Sequence, residues 1–282
     1  MPLNPDVLHN WVFEPVREDY DRFRTILYAL GVGAGADGGD LELVYEPQLK
    51  ALPTMAVTLA GDGLWMADPR AGITVTRMLH GEQGLEIHAP LPPEGAVIAQ
   101  TSVEGLYDKG PKGAVLITKR ELRTPAGQPI ATVRSSGFLR ADGGFGGSSE
   151  GQPAPHPTPD RPADLAVTLG TTRGQAVLYR LSGDHNPLHI DPRAAEAGGF
   201  ERPILHGLCS YGVASRAVIQ ALCENDPDRL RRFDVRFASP VYPGETLETQ
   251  IWKESPGRAA FRVRVVERDI IVLSNGRADY RA

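Results

Sequence analysis

Two short segments recur along the chain at nearly one separation. Tyr28-Ala29-Leu30-Gly31-Val32 resembles Tyr179-Arg180-Leu181-Ser182-Gly183 at a shift of 151, and Ala89-Pro90-Leu91-Pro92-Pro93 resembles Ser239-Pro240-Val241-Tyr242-Pro243 at a shift of 150. Each match alone is short enough to arise by chance. Agreement in offset and order makes an internal duplication the better explanation, and two copies imply a fused pseudo-dimer rather than a solenoid. Whatever one half builds, the other must build a version of it.

Between the copies, Ala141 to Ala163 is packed with Gly, Ser and Pro: Gly143-Gly144-Phe145-Gly146-Gly147, then Pro153, Pro155, Pro157, Pro159 and Pro162. Such a stretch has too few apolar side chains to fold alone and reads as a linker between units at residues 1–140 and 164–282. The glycine run lacks the Lys-Ser/Thr of a phosphate loop and precedes prolines rather than a helix. In the second unit, Asp191-Pro192 predicts a capped helix through Ala197, stopped by Gly198-Gly199. Gly207 to Leu222 predicts a helix apolar or small on nearly every face, hence buried all round. Four β-rich runs follow: Phe233 to Ala238, Thr246 to Lys253, Ala259 to Val266 and Ile270 to Leu273. The first unit carries the matching runs Leu85 to Ala89, Val97 to Leu106, Ala114 to Leu122 and Ile130 to Leu139. Pro47 and Pro53 interrupt its equivalent of the buried helix, leaving only Met55 to Leu59. A sheet wrapped around one buried helix, with the other helix degenerate, is the expected α+β arrangement.

The 282 residues suffice for a sizeable core. A net charge of −5 argues against nucleic-acid binding, which needs a basic face. If helical, the segment between Cys209 and Cys223 holds the two cysteines about 20 Å apart, too far to pair, which suits a reducing compartment. No run of 18 apolar residues predicts a membrane span. The start lacks a secretory pattern and the end is not a serine-lysine-leucine address, so a cytoplasmic location is expected.

The chemistry concentrates in Tyr179-Arg180-Leu181-Ser182-Gly183-Asp184-His185-Asn186-Pro187-Leu188-His189-Ile190-Asp191-Pro192. Gly183 and Pro187 bend the chain, which can bring the Asp184 carboxylate and the His189 imidazole together. Asn186 can donate or accept between them. An imidazole oriented by a carboxylate suits water activation near neutral pH. Gly207, after His206, opens the buried helix and offers a backbone N–H at its positive end, a seat for a developing oxyanion. His185, His189 and His206 lack the spacing of a zinc motif, so no metal is expected, and no cofactor. His206 reads as a residue that supports the dyad from behind or packs beside it rather than a proton carrier, and Cys209 as a small hydrophobe, while His9, His88 and His156 read as surface residues.

The segment resembles the signature of the MaoC-like, or hydratase 2, family: tyrosine, a hydrophobe, Ser-Gly-Asp, any residue, Asn-Pro-Leu-His. Leu79-His80-Gly81-Glu82-Gln83, Asp108-Lys109-Gly110, Pro203-Ile204-Leu205-His206-Gly207-Leu208 and Pro240-Val241-Tyr242-Pro243-Gly244 are similar to the (R)-specific hydratase region of the peroxisomal multifunctional β-oxidation enzyme. The resemblance implies a double hotdog fold, a homodimer and an acyl-CoA substrate. It implies that Asp184 and His189 hold the reacting water, that Asn186 helps position it, and that Gly207 N–H binds the thioester oxygen. His80, Gly81, Lys109, His185, Pro187, Leu188 and Phe237 fall at its substrate contacts. At the 151-residue shift the dyad becomes Gly33 and Gly38, so only the second copy is expected to be active, the first housing the acyl chain. A hotdog thioesterase attacking carbon 1, and a non-catalytic acyl-CoA binder, are the competing functions.

Overall fold

One antiparallel sheet takes strands from both halves. The computed structural model describes residues 3–36, 38–63 and 65–282. The first half contributes β1 (Val16–Tyr20), β2 (Met78–Ile87), β3 (Gly95–Asp108), β4 (Ala114–Arg123) and β5 (Pro129–Leu139). The second contributes β6 (Leu165–Gly170), β7 (Leu230–Phe237), β8 (Thr246–Ser255), β9 (Arg258–Val265) and β10 (Ile270–Tyr280). Their order is β1-β3-β4-β5-β2-β7-β10-β9-β8-β6, so the two halves repeat one order outward from a β2–β7 seam. At that seam Gly84 faces Asp234, 150 residues further along the chain, with Glu82 opposite Arg236 and Glu86 opposite Arg232. Each strand therefore pairs with its own duplicate, and a pseudo-twofold axis passes between them.

Two strands lie outside the sequence expectations, β1 and β6. Both are short sheet edges; β1 carries Arg17, Glu18 and Asp19 in five residues, whereas β6 does alternate Leu165, Val167 and Leu169 with exposed neighbours but is only six residues long and directly follows the Pro-rich segment. β10 also runs past Leu273. Its pairing shifts between Ser274 and Arg277, where Asn275 adopts φ +55°, and this bulge carries the strand through a polar stretch.

The helices are α1 (Pro5–His9), α2 (Arg22–Gly31), α3 (Leu41–Val44), α4 (Gln175–Tyr179), α5 (Pro192–Ala197) and α6 (Gly207–Leu222). The sheet wraps α6, whose Cys209, Tyr211, Val213, Ala214, Ala217 and Val218 are all buried. Small residues let neighbours approach it closely. A Cβ at Gly212 would sit 2.4 Å from Val32 Cγ1 and 3.0 Å from the Tyr28 hydroxyl, so this glycine sets how near the first half comes. Among the described residues the first half has no equivalent long helix. A 3₁₀ turn, Pro53–Thr58, takes the buried place, and Thr54 Oγ1 lies 3.1 Å from Ser215 Oγ on α6. Pro53 keeps the turn from extending back toward Pro47, and extended Leu59 followed by Ala60 at φ +48° ends it on the other side. Helices α2 and α4 meet near the axis, where Gln175 Nε2 donates to the Gly31 carbonyl at 2.6 Å.

The segment between the halves has no core of its own and is strapped to the sheet. Asp108 accepts from the amides of Gly110, Gly144 and Gly146 at 2.7–2.8 Å. Gly143 must be glycine here, because a Cβ would come 2.2 Å from the Gly110 and Gly113 carbonyls. Further along, Asn275 Nδ2 donates to the His156 carbonyl, His156 meets Glu254, and Trp252 Nε1 donates to the Arg161 carbonyl. Both cysteines are free and buried, and burial raises both thiol pKa values, that of Cys223 to about 12. No described helix is long and apolar enough to cross a membrane.

Gly212→Ala should lower stability by about 1–3 kcal/mol, because its methyl group overpacks the α6–Val32 contact. Urea unfolding measures this, and an unchanged midpoint would show that the contact yields freely.

Candidate active site

The motif leaves α4 as two 3₁₀ turns, Arg180–Ser182 and Pro187–His189, with Gly183 between them at φ +111°. Asn186 caps the second turn, its Oδ1 accepting from Leu188 N at 3.0 Å. Asp184 Oδ1 accepts from Asn186 N at 3.1 Å. Arg24 on α2 donates to the Leu181 and Ser182 carbonyls at 3.0 and 2.8 Å, so the first half holds the entry to the motif.

These restraints bring Asp184 Oδ2 to 4.0 Å from His189 Nε2. His189 is buried, and its Nδ1 lies 2.9 Å from the Ile204 carbonyl. A carbonyl only accepts, so Nδ1 carries the proton and the Nε2 lone pair faces Asp184. The gap is too long for a direct hydrogen bond. A water at ordinary distances of about 2.8 Å can touch both atoms with an angle near ~90° at its oxygen. Asp184 is 42% exposed while His189 is 9% exposed, so the carboxylate stays wet and the imidazole does not.

His206 immediately precedes α6 and stacks on His189, with ring centroids 3.8 Å apart and 30° between planes. Its Nε2 lies 3.2 Å from the Asp184 carbonyl. Gly207 is the first residue of α6, where an amide has no carbonyl partner within the helix. A Cβ there would come 3.0 Å from Phe237 Cε1, and the Phe237 ring packs 4.7 Å from His80. Residues of β2 and β7 thus cover the helix start from across the seam. Gly81 sits where β2 slips against β5, and its missing Cβ makes room for Ser136 Oγ.

The dyad, Gly207, His80 and Phe237 therefore converge through His206. The remaining expected residues lie further out. Lys109 donates to the Ser149 carbonyl at 3.1 Å and lies 5.6 Å from the Tyr107 ring, packed on the inter-copy segment. His185 and Pro187 are exposed, and Leu188 packs against the end of α5 at Gly198. Asn186 uses its carbonyl oxygen to shape the turn. The contributions of Arg24 and the Ile204 carbonyl were not legible in the sequence, since Arg24 lies 158 residues from Ser182. The sequence signal for His206 was its place beside Gly207.

Asp184, His189 and His206 could each offer a ligand atom within 4.8 Å of the others. The two imidazoles are stacked face to face, so their in-plane lone pairs do not converge readily on one ion. Burial lowers both imidazole pKa values, and at His206 the neighbouring His189 adds to the effect, taking it to about 4.

Similarity to known proteins agrees with this arrangement. Residues 154–275 match the MaoC like domain, and residues 19–141 match the MFE-2 hydratase 2 N-terminal domain. A probable enoyl-CoA hydratase 2 of Dictyostelium discoideum is 42% identical over 276 residues, covering 95% of this chain and 93% of that protein. The chain belongs to the MaoC-like, hydratase 2 family. It is a hydro-lyase of that family. The crystal structure of a MaoC-like dehydratase from Phytophthora capsici superposes with a TM-score of 0.89, 37% identity and 99% coverage of both chains. A Mycobacterium tuberculosis protein described as a double hotdog fold matches with a TM-score of 0.57 at 15% identity over 95% of each chain, which supports that fold alone. The double hotdog expected from the resemblance is the fold observed.

Peroxisomal multifunctional enzyme type 2 of Mus musculus is 41% identical over 92% of this chain, and that of Drosophila melanogaster 37% over 94%. These relatives overturn the cytoplasmic location expected from the chain ends, because they are peroxisomal proteins. The chain spans 36% and 46% of their lengths, so the last residues of a hydratase unit need not be those an import receptor reads.

Because the folded pKa values of His189 and His206 lie below the unfolded value of about 6.5, the unfolded chain binds more protons between pH 6.5 and about 4. Their contribution is therefore whole above pH 6.5 and is lost as pH falls toward 4. Urea midpoints should drop between pH 7.5 and pH 5, and equal midpoints would mean that these imidazoles are not buried neutral.

Proposed function

We propose that the protein adds water reversibly across the 2,3 double bond of a trans-2-enoyl-CoA to give a (3R)-3-hydroxyacyl-CoA. The observation that carries this reading is the 4.0 Å gap between Asp184 Oδ2 and an unprotonated His189 Nε2 beside the first amide of α6. The Dictyostelium relative, named a probable enoyl-CoA hydratase 2, supports the substrate class.

His189 Nε2 takes a proton from the water as its oxygen bonds to carbon 3. The electron pair of the double bond moves toward the thioester carbonyl, whose oxygen rests on the Gly207 N–H. Asp184 accepts a hydrogen bond from the second O–H of the water, which stays on the oxygen as the new 3-hydroxyl, and its charge stabilises the His189 imidazolium, which holds the proton that was removed. The proton then passes to carbon 2, so that water is added and the dyad restored. The (R) outcome rests on the family resemblance. Asn186 acts through the turn that it caps. His80, Gly81 and Phe237 border the thioester, and His185, Pro187 and Leu188 form the outer lip. Lys109 serves the CoA phosphates from the neighbouring turn. The first half is non-catalytic and houses a medium, long or bulky acyl chain, using room that a full helix would fill. A homodimer is part of this proposal. The alternative, thioester hydrolysis on the same fold, would direct the water to carbon 1.

Incubation with crotonyl-CoA separates the two: loss of enoyl absorbance without free thiol is expected, and thiol release would mean hydrolysis. Asp184→Asn and His189→Gln should each lower kcat by two or more orders of magnitude in folded protein, with melting nearly unchanged for the partly exposed Asp184 and lowered for the buried His189, which loses its contacts with Ile204 and His206. Wild-type turnover in either variant would remove it from the dyad. The acid limb of kcat/KM should fall below the ordinary imidazole value, because burial lowers the His189 pKa.

A further inference from the structure

His206 contacts both members of the dyad, and the proposed reaction uses it for no step. Its Nε2 lies 3.2 Å from the main-chain carbonyl of Asp184, which can only accept, so Nε2 carries the proton. Its other nitrogen, Nδ1, is buried with no hydrogen-bond partner. One face lies on His189 at 3.8 Å, and Tyr179 packs 5.0 Å away. The charged groups that bear on it are Asp184, His189 and Arg180. A second proton would sit on Nδ1 without an acceptor and place a charge against His189. His206 is therefore held neutral, which excludes it as a proton carrier and leaves geometry as its work.

Asp184 lies just after Gly183 in the left-handed region and is partly exposed, so its main chain needs external restraint. His189 needs its ring plane fixed for Nε2 to face the carboxylate. One short stretch supplies both: the Ile204 carbonyl holds His189 Nδ1, and His206, two residues later, holds the Asp184 carbonyl and covers the His189 face. We infer that His206 is a positioning residue, clamping Asp184 through its main chain and His189 through its ring, so that the two converge on one water. This rests on the hydration reading above for its kinetic consequence, though not for its structural one.

Two variants divide the contacts. His206→Phe keeps an aromatic face and loses the N–H, whereas His206→Gln keeps a donor and loses the face. We expect kcat on crotonyl-CoA to fall about 10- to 100-fold in His206→Phe, as for other sub-ångström misplacements of reacting groups. KM should stay within about threefold and melting should be retained, with part of the lost kcat present in His206→Gln. In the substrate-free protein, followed by NMR, the His189 imidazole should titrate lower in His206→Phe than in wild type, because a released Asp184 supports its charge less. In His206→Gln it should lie closer to wild type.

Wild-type kcat with unmoved His189 titration in His206→Phe overturns the inference. So does a parallel loss of kcat, KM and stability in both variants, which marks a packing role only. Should the phenylalanine variant not fold, His206→Gln decides alone: near-wild-type His189 titration with measurable turnover supports the clamp, and abolished turnover rejects it. If wild type itself fails to hydrate crotonyl-CoA, the hydration reading falls, while the His189 titration still judges the clamp.

Discussion

The pairing of β2 with β7 is the contact on which the rest of the molecule depends. It turns two five-stranded halves into one sheet and brings His80 and Phe237 over the start of α6. The ladder itself has little sequence preference, so its register needs other support. On the outer face Arg236 meets Glu82 at 2.7 Å and Arg232 meets Glu86 at 2.9 Å. Partly exposed ion pairs of this kind contribute about 0–1 kcal/mol each. Their greater effect is on register, since a slip by one residue would turn these charges inward and the apolar face outward.

Duplication supplied symmetry, and the site arises where symmetry was abandoned. The second copy keeps the helix and the dyad. The first has Gly33 and Gly38 at the corresponding offsets, both at positive φ. Each loop is nevertheless held by an arginine from the other half: Arg24 donates to Leu181 and Ser182, and Arg216 on α6 donates to Val32 and pairs with Asp40. Where the second half has the long helix α6, the first half has the buried 3₁₀ turn Pro53–Thr58.

Burial and exposure are divided between Asp184 and His189, the two groups to which the proposed reaction assigns one water. Dehydration favours the neutral form of His189, as the proposed base requires, while the accessible Asp184 keeps contact with solvent. The same dehydration opposes the imidazolium of the proposed reaction, and the Asp184 charge offsets part of that cost. A 4.0 Å separation lets one water occupy the gap, which a direct ion pair would close.

Much of this was written in local pattern. The buried helix was legible from Gly207 to Leu222 because its small and apolar residues run around every face, and eight strands were legible as β-rich runs bounded by turn residues. The edge strand β1 was not, since charges fill three of its five positions, and β6 was not because its alternating Leu165, Val167 and Leu169 make only a short run directly after the Pro-rich segment. The chemistry of the motif was legible in residue types: a carboxylate, an imidazole, and the glycine and proline that bend the chain. Sequence by itself determined which groups exist, the spacing that lets Asp184 and His189 meet, and that the chain is built twice. Only the tertiary structure decided the His189 tautomer, through the Ile204 carbonyl, the face contact of His206, and the arginine that holds the motif from 158 residues away. Those contacts join segments distant along the chain, and local periodicity carries no information about which distant carbonyl will lie within 3 Å of a given nitrogen.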